Sequence, residues 1–347
     1  MMRILAVLTV RNEAAFLLDW LAHHKAVGFT DFLVFSNDCQ DGTDEMLDRL
    51  NDMGEIVHLR NDGPYDQRGI QFTALKKAEK LSIVQAADWI LPLDVDEFVN
   101  IHVGDRTVPA LLDALPEATA ITLTWRLFGN AGQVAYQDTP VPRLFTRAAP
   151  VVMYWPWRSA MFKTLYRNDG TYKKVGVHRP RNADPDRVNA ARWFDGEGRE
   201  LDGQFRARRI FSNYGRSNYA LVQLNHYPLG AMHSYVLKAD RGRAVHSDDV
   251  LGMDYWVERN FNTAEDTSIL GLTERAEPIR DTFASDPELA TLHDEAVAWR
   301  QTRFEELMMQ EPYRALFGRL MMTPPSTPLT LPQAQVLLRH ATTARIS

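Results

Sequence analysis

The chain has 347 residues, 45% of them hydrophobic and 24% charged, with a net charge of −6. That composition supports a sizeable core and excludes a disordered chain, and its acidic balance argues against general nucleic-acid binding. A single cysteine, Cys39, rules out an intrachain disulfide and fits a reducing compartment. No apolar run approaches the ~18 residues a membrane span needs. The N-terminal MMRILAVLTVRNE lacks a small-residue cleavage site and reads as a first strand rather than a signal peptide. The expectation is a cytoplasmic protein with no transmembrane segment; peripheral membrane contact and oligomeric state are left open.

Residues 4–10 form a continuous apolar run of the buried-strand type, with Arg11-Asn12-Glu13 at its carboxyl end. Phe16, Leu17, Trp20 and Leu21 then recur at helical spacing until Gly28 stops the helix. His23 and His24, in its last turns, read as surface or dipole-satisfying residues. Residues 31–36 are a second strand running into Asn37-Asp38, 44–53 a short helix, 55–59 a third strand ending before Asn61-Asp62, and 67–86 one long helix. Strands alternating with helices across short polar joints predict a parallel sheet with covered faces. Such sheets bind ligands at the carboxyl ends of their strands, near the point where strand order reverses.

Residues 87–100, ADWILPLDVDEFVN, organise the rest. Trp89, Ile90, Leu91 and Leu93 suit a strand buried on both faces, and the run stops abruptly at Asp94, Asp96 and Glu97. Unpaired carboxylates are too costly to bury along a strand, so the acids belong at its carboxyl end. Residues two apart in an extended segment point to one side, so Asp94 and Asp96 aim together. Two hard oxygen donors of this kind suit a divalent cation that keeps other positions for water and phosphate. The plain alternative is a solvated or Arg/Lys-paired surface turn. Glu97 reads as a support of that turn.

Beyond residue 100, a helix is expected at 108–115, a strand at 120–125 and an aromatic-flanked loop at 126–132. Residues 140–215 mix short strands with turns. Tyr154-Trp155-Pro156-Trp157 is either a sugar-stacking platform or ordinary packing. Residues 158–216 hold 14 Lys or Arg against 7 Asp or Glu, which fits local anion binding or a solvated basic face. A strand at 220–224 ends in Asn225-His226-Tyr227, and helices follow at 234–244, 253–260 and 287–310. A Pro-rich tail precedes a short helix at 333–340.

The first turn, TVRNEA, has neither the G-x-G-x-x-G of a dinucleotide site nor a P-loop, and no G-x-S-x-G elbow occurs. The segments VRNEAAFLLDWLAHHKAVGF, FSNDCQDGT and WILPLDVDEFV resemble glycosyltransferase family 2, in its DVDEF branch, which is related to family 92. The resemblance covers about residues 3–100 and resumes at WRLFGNAG, KKVGVHRP and NHYPLGAMHSYVLKADRG. The last segment resembles an HYxxKSxxEFxxKxxRG element, with Gly230 and Ala231 replacing its Lys-Ser pair.

The resemblance implies an α/β protein of the GT-A type: a mixed, mainly parallel sheet flanked by helices. Residues 1–230 would form the transferase domain (1–100 the nucleotide half, 101–230 the acceptor half), 231–323 a helical region and 324–347 the tail. It also implies a metal-dependent enzyme of glycan or polysaccharide biosynthesis. Such an enzyme moves a sugar from a nucleotide-sugar donor, UDP-linked, to a saccharide or lipid-linked acceptor, with Mn²⁺ or Mg²⁺. Arg11, Asn12 and Glu13 would lie beside the nucleotide, Asp38 on its uracil or ribose side, and Arg68 and Gln71 on the approaching helix. Asp94 would meet ribose or metal and Asp96 the metal, with His226, or alternatively His178, as third ligand. Asp266, in NTAEDTSIL, is the expected base. The rival reading is a non-catalytic carbohydrate- or nucleotide-binding protein that keeps the fold.

Overall fold

The computed structural model describes residues 2–65, 69–242 and 251–343. Strand β1 (Ile4–Val10) is followed by helix α1 (Ala14–Ala26), β2 (Asp31–Ser36), α2 (Thr43–Asp52) and β3 (Val57–Arg60). Next come α3 (Ile70–Ala78), α4 (Ser82–Gln85), β4 (Trp89–Leu93), β5 (Glu97–Ile101), α5 (Val108–Ala114) and β6 (Ala120–Leu127). Passing over the shortest pieces, β7 (Phe162–Arg167), β8 (Trp193–Asp195) and β9 (Val222–His226) complete the sheet. Helices α6 (Met232–Arg241), α7 (Met253–Val257), α8 (Leu270–Ala284), α9 (Pro287–Met308), α10 (Glu311–Met322) and α11 (Leu331–Thr343) follow.

Among the described residues the main sheet has nine strands in the order β3-β2-β1-β4-β7-β6-β9-β5, with β8 alongside β6. The pairs β1–β2, β2–β3, β1–β4, β6–β8 and β6–β9 are parallel, while β7 runs antiparallel to β4 and β6, and β5 to β9. This is the mixed, mainly parallel sheet flanked by helices that the resemblance implies. Strand order reverses between β1 and β4, so the crevice at their carboxyl ends is the binding position for such a sheet.

Two apolar layers cover its faces. One sets Trp20, Leu21 and Phe32 against Leu91, Phe98 and Leu123; the other sets Leu33 and Phe35 against Leu75, Ile90 and Trp193. A third cluster, with Tyr235, Trp256, Phe304 and Leu320, joins α6, α7, α9 and α10. The C-terminal helices therefore divide: Leu272 and Phe283 of α8 belong to the sheet's own core, packed with α1, while most of the rest pack on one another.

Several expectations change. The single helix over 67–86 becomes α3 and α4, because Leu81 turns extended (φ −85°, ψ 141°) and packs into the core beneath the sheet; Gln67 and Arg68 lie outside the described residues. The helix over 234–244 is α6, which ends at Arg241; residues 243–250 lie outside the described set. Helices α8 and α10 fall inside the expected helical region 231–323, at bounds the sequence pattern does not give, and strand β5 is unexpected. His23 and His24 are core residues rather than surface ones, 2% and 0% exposed, bonded to the Val99 and Trp20 carbonyls at 2.8 Å each. Burial pushes His23 down to about 4, so it is a neutral packing group. Trp155 and Trp157 meet edge to face at 5.0 Å and line neither cavity described below, which favours the packing reading. Among the described residues no helix is long and apolar enough to cross a membrane.

Candidate active site

The loops after β1 and β2 are locked together by short polar side chains. Asn12 adopts a left-handed φ of 53° and its Oδ1 accepts the Gln40 amide at 2.8 Å. Thr43 Oγ1 accepts the Glu13 amide at 3.0 Å, and Asp41 Oδ2 accepts that of Ala14 at 3.1 Å. These bonds leave Arg11 and Glu13 facing a cavity of about 540 Å³ at the reversal crevice.

The opposite lip is the 94–96 turn. Strand β4 pairs with β7 only at Trp89 and Ile90, so Pro92, which has no N–H to offer, lies beyond that ladder. Glu97 then fixes the turn: its Oε2 accepts the Asp94 amide at 2.9 Å and its Oε1 the Trp125 indole at 2.6 Å. The Trp20 indole closes the other side on the Asp94 and Glu97 carbonyls at 3.2 and 3.1 Å. Glu97 thus supports the turn, as its place in the sequence implies, and it does so as the first residue of β5.

Each aspartate meets a lysine from far along the chain. Lys163, fully buried, donates to Asp94 Oδ2 at 2.8 Å and lies 3.4 Å from Glu97 Oε2. Gln71 donates to the other Asp94 oxygen at 3.0 Å. Lys238 of α6 donates to Asp96 Oδ2 and to the Pro228 carbonyl, both at 2.8 Å, while Arg241 pairs with Glu13. Burial opposes the charge on Asp94, but Lys163 outweighs it and holds the carboxyl below its ordinary value. Burial likewise works against Asp96, and Lys238 and His226 hold it well below the carboxylate range. Glu97 moves the other way, pushed up by burial and by the two neighbouring aspartates despite Lys163.

His226 ends β9 with its ring against Trp125, centroids 4.3 Å apart, and its Nε2 lies 3.6 Å from Asp96 Oδ1. That gap is beyond hydrogen-bond range. Burial lowers His226 to about 3, so the ring is neutral, and its Nδ1 is buried without a partner. A neutral imidazole nitrogen beside an open carboxylate oxygen is a donor pair that fits a divalent cation. The fit is partial: both Asp94 oxygens are engaged, and among the described residues no group of three His, Cys, Asp or Glu assembles around a common point. Other positions in such a shell would fall to phosphate and water.

The expected residues therefore sort in four ways. Arg11, Glu13, Gln71, Asp94, Asp96, His178 and His226 all line the large cavity. His178 is anchored by Nδ1 to the Phe162 carbonyl at 3.0 Å, and burial lowers it to about 4. Asn12 acts on the loop, and Asp38 is exposed with its carboxylate on the Tyr65 hydroxyl. Asp266 stands apart, both oxygens taken by Ser268, Gln223 and Arg126, and it lines neither cavity. Arg68 lies outside the described residues.

Lys163, Lys238, Arg241 and Trp125 were not singled out in the sequence. For Lys238 and Arg241 a signal existed, since they occupy the Lys and Arg positions of the motif-like NHYPLGAMHSYVLKADRG element. Most of the basic segment is structural: Arg179, Arg187 and Arg206 bind backbone carbonyls and Arg192 pairs with Glu117 and Glu200, though Arg158 lines the cavity.

The sequence model of glycosyltransferase family 92 matches residues 6–193, more than half of the chain. A family 92 protein of rice (Oryza sativa subsp. japonica) is 25% identical over 130 residues, which is 36% of this chain and 21% of that protein. The chain thus spans about a fifth of the length of the curated relative it matches. Among solved structures, Staphylococcus aureus TarS 1–349 in complex with UDP-GlcNAc aligns at 13% identity over 91% of this chain and 84% of its own, with a TM-score of 0.33. Glucosyl-3-phosphoglycerate synthase of Mycobacterium tuberculosis, in complex with Mn²⁺, UDP and glucosyl-3-phosphoglycerate, aligns at 16% identity over 36% of this chain and 44% of its own, with a TM-score of 0.24. The family match takes in most of β1, the 94–96 turn and Lys163 of β7, and the chain belongs to glycosyltransferase family 92.

Proposed function

We propose that this protein is a metal-dependent glycosyltransferase. It takes a sugar from a nucleotide-sugar donor, UDP-linked, and passes it to a saccharide or lipid-linked acceptor in glycan assembly. The observation that carries the reading is the convergence of Arg11, Glu13, Gln71, Asp94, Asp96 and His226 on one cavity of about 540 Å³ at the β1/β4 reversal. That volume suits a nucleotide-sized ligand. Asp96 Oδ1 and His226 Nε2 would hold Mn²⁺ or Mg²⁺, which supplies charge stabilisation to the departing diphosphate. The chain adds its own cations: Arg11, Lys238 and Arg241 line the same cavity. Lys163 and Gln71 hold the Asp94 carboxylate in place at 2.8 and 3.0 Å, so the turn is ordered before any ligand arrives.

The test is a panel of nucleotide sugars assayed for nucleoside diphosphate release, with Mn²⁺ or Mg²⁺ and with EDTA. Release that needs the cation is the expected result. Full release in EDTA would refute the metal role, and absence of release with any donor would refute the enzyme. One observation favours a second reading, a nucleotide-binding protein without turnover: both Asp94 oxygens are already engaged. Tight UDP binding with no release from any donor would establish it.

A further inference from the structure

Arg300 on α9 is a buried cation that makes no ion pair among the described residues; the carboxylate that acts on it most, Glu13, is already held by Arg241. It is 5% exposed, yet among the described residues it donates no hydrogen bond, and its Nε is buried without a partner. Its guanidinium carbon lies 4.6 Å from the centre of the Phe16 ring and 5.0 Å from that of Tyr136. Ring faces recover part of the hydration a cation loses on burial, but they accept none of its in-plane N–H bonds. Removing a charge from water without a partner is among the most costly things a fold can do.

Arg300 lines a second cavity, of about 80 Å³, which adjoins the large one through Glu13, Val95, Asp96, Lys238 and Arg241. The carboxylates on its wall are already matched. Glu13 has Arg241, Asp96 has Lys238 at 2.8 Å, and Asp240 has Arg303 at 2.9 Å and the Tyr313 hydroxyl at 3.0 Å. Each of these carboxylates thus has a cation other than Arg300, which makes no ion pair with any of them. Much of the remaining wall is apolar, with Phe145, Tyr227, Leu237 and Trp299.

From this we infer that the second cavity is an acceptor subsite for a small hydroxylated molecule bearing an oxyanion, a carboxylate or phosphate, gripped by Arg300. The planar guanidinium fork is built for such groups, and the aromatic wall suits the apolar face of a sugar ring. The assignment to acceptor rather than donor rests on the glycosyltransferase reading, in which the 540 Å³ cavity takes the whole nucleotide sugar.

The experiment is calorimetric titration of the full chain with glucuronate, glycerol phosphate and glucose at fixed ionic strength, with and without saturating UDP and Mn²⁺. At least one of the two anions should bind ten times more tightly than glucose, and Arg300→Gln should remove at least tenfold of that affinity. Binding of glucuronate alone names a carboxylate acceptor; binding of glycerol phosphate alone names a phosphate acceptor. Anions that bind no better than glucose, or a folded Arg300→Gln that keeps the parent affinity, overturn the inference. Arg300-dependence seen with UDP-glucuronate and with neither free anion overturns the acceptor assignment. If Arg300→Gln fails to fold, Arg300→Lys, which keeps the charge without the fork, and ligand-induced melting shifts of the parent give the same reading. UDP binding without anion binding defeats this inference alone, whereas failure of UDP to bind defeats the donor reading and leaves the anion titration to decide here.

Discussion

The ion cluster under the 94–96 turn yields the sharpest test. Lys163→Met keeps the length and apolar stem of the side chain and deletes only its charge. Lys163 and Glu97 are fully buried and Asp94 is 35% exposed at its side chain, with Lys163 Nζ at 2.8 Å from Asp94 and 3.4 Å from Glu97. Breaking a buried pair by removing one partner destabilises by about 3–5 kcal/mol, because the other charge is stranded. Two features pull the value toward the lower end. Gln71 and Trp125 still donate to the two carboxylates, and Glu97, already raised by burial, can take up a proton. The expected loss is therefore about 3 kcal/mol, read by urea unfolding followed through tryptophan fluorescence. Adding Asp94→Asn removes one stranded charge, so the double variant should be more stable than the sum of its parts by about 1–3 kcal/mol. A loss below about 1 kcal/mol in Lys163→Met, or strict additivity in the cycle, would refute the buried counter-ion.

Asp96→Ala deprives Lys238 of its carboxylate, so it should lose about 1.5–3 kcal/mol of stability as well as metal-dependent UDP binding. Calorimetry with and without Mn²⁺ checks the second effect, and undiminished metal-dependent binding would exclude Asp96 from the cation site. His226→Ala should weaken the same binding more mildly, since water can replace one neutral ligand; a larger loss than in Asp96→Ala would reverse the assignment. Asp138, at 3.0 Å, holds His293 of α9 above its ordinary pKa. The stabilisation this gives is complete below about pH 6.5 and fades as pH rises through the raised folded value. The melting-temperature deficit of His293→Gln should therefore be largest near pH 6 and shrink toward pH 9, and a deficit independent of pH would contradict the pairing.

Local pattern told where the chain turns. The bounds of β1 and β2 follow directly from unbroken apolar runs that end in polar residues, and the placement of Asp94 and Asp96 at the end of β4 follows from the cost of burying acids within a strand. Arg11 and Glu13 were legible because successive strands of a parallel sheet deliver their ends to one rim, whereas Gln71, on α3, came only with the family resemblance.

What the sequence could not express was partnership. Lys163 sits in a strand whose neighbours give no hint that its ammonium meets an aspartate 69 positions earlier, and Lys238 reaches Asp96 across 142 positions. Asp266 shows the converse, because the acid expected as the base is drawn to Arg126, 140 positions away, by tertiary packing. Periodicity along a chain reports which face is apolar, since that depends on near neighbours. Which charge answers which depends on how layers stack, and only the folded sheet with α6 and α9 decided that Asp96 would have a lysine and that Arg300 would have no ion pair among the described residues.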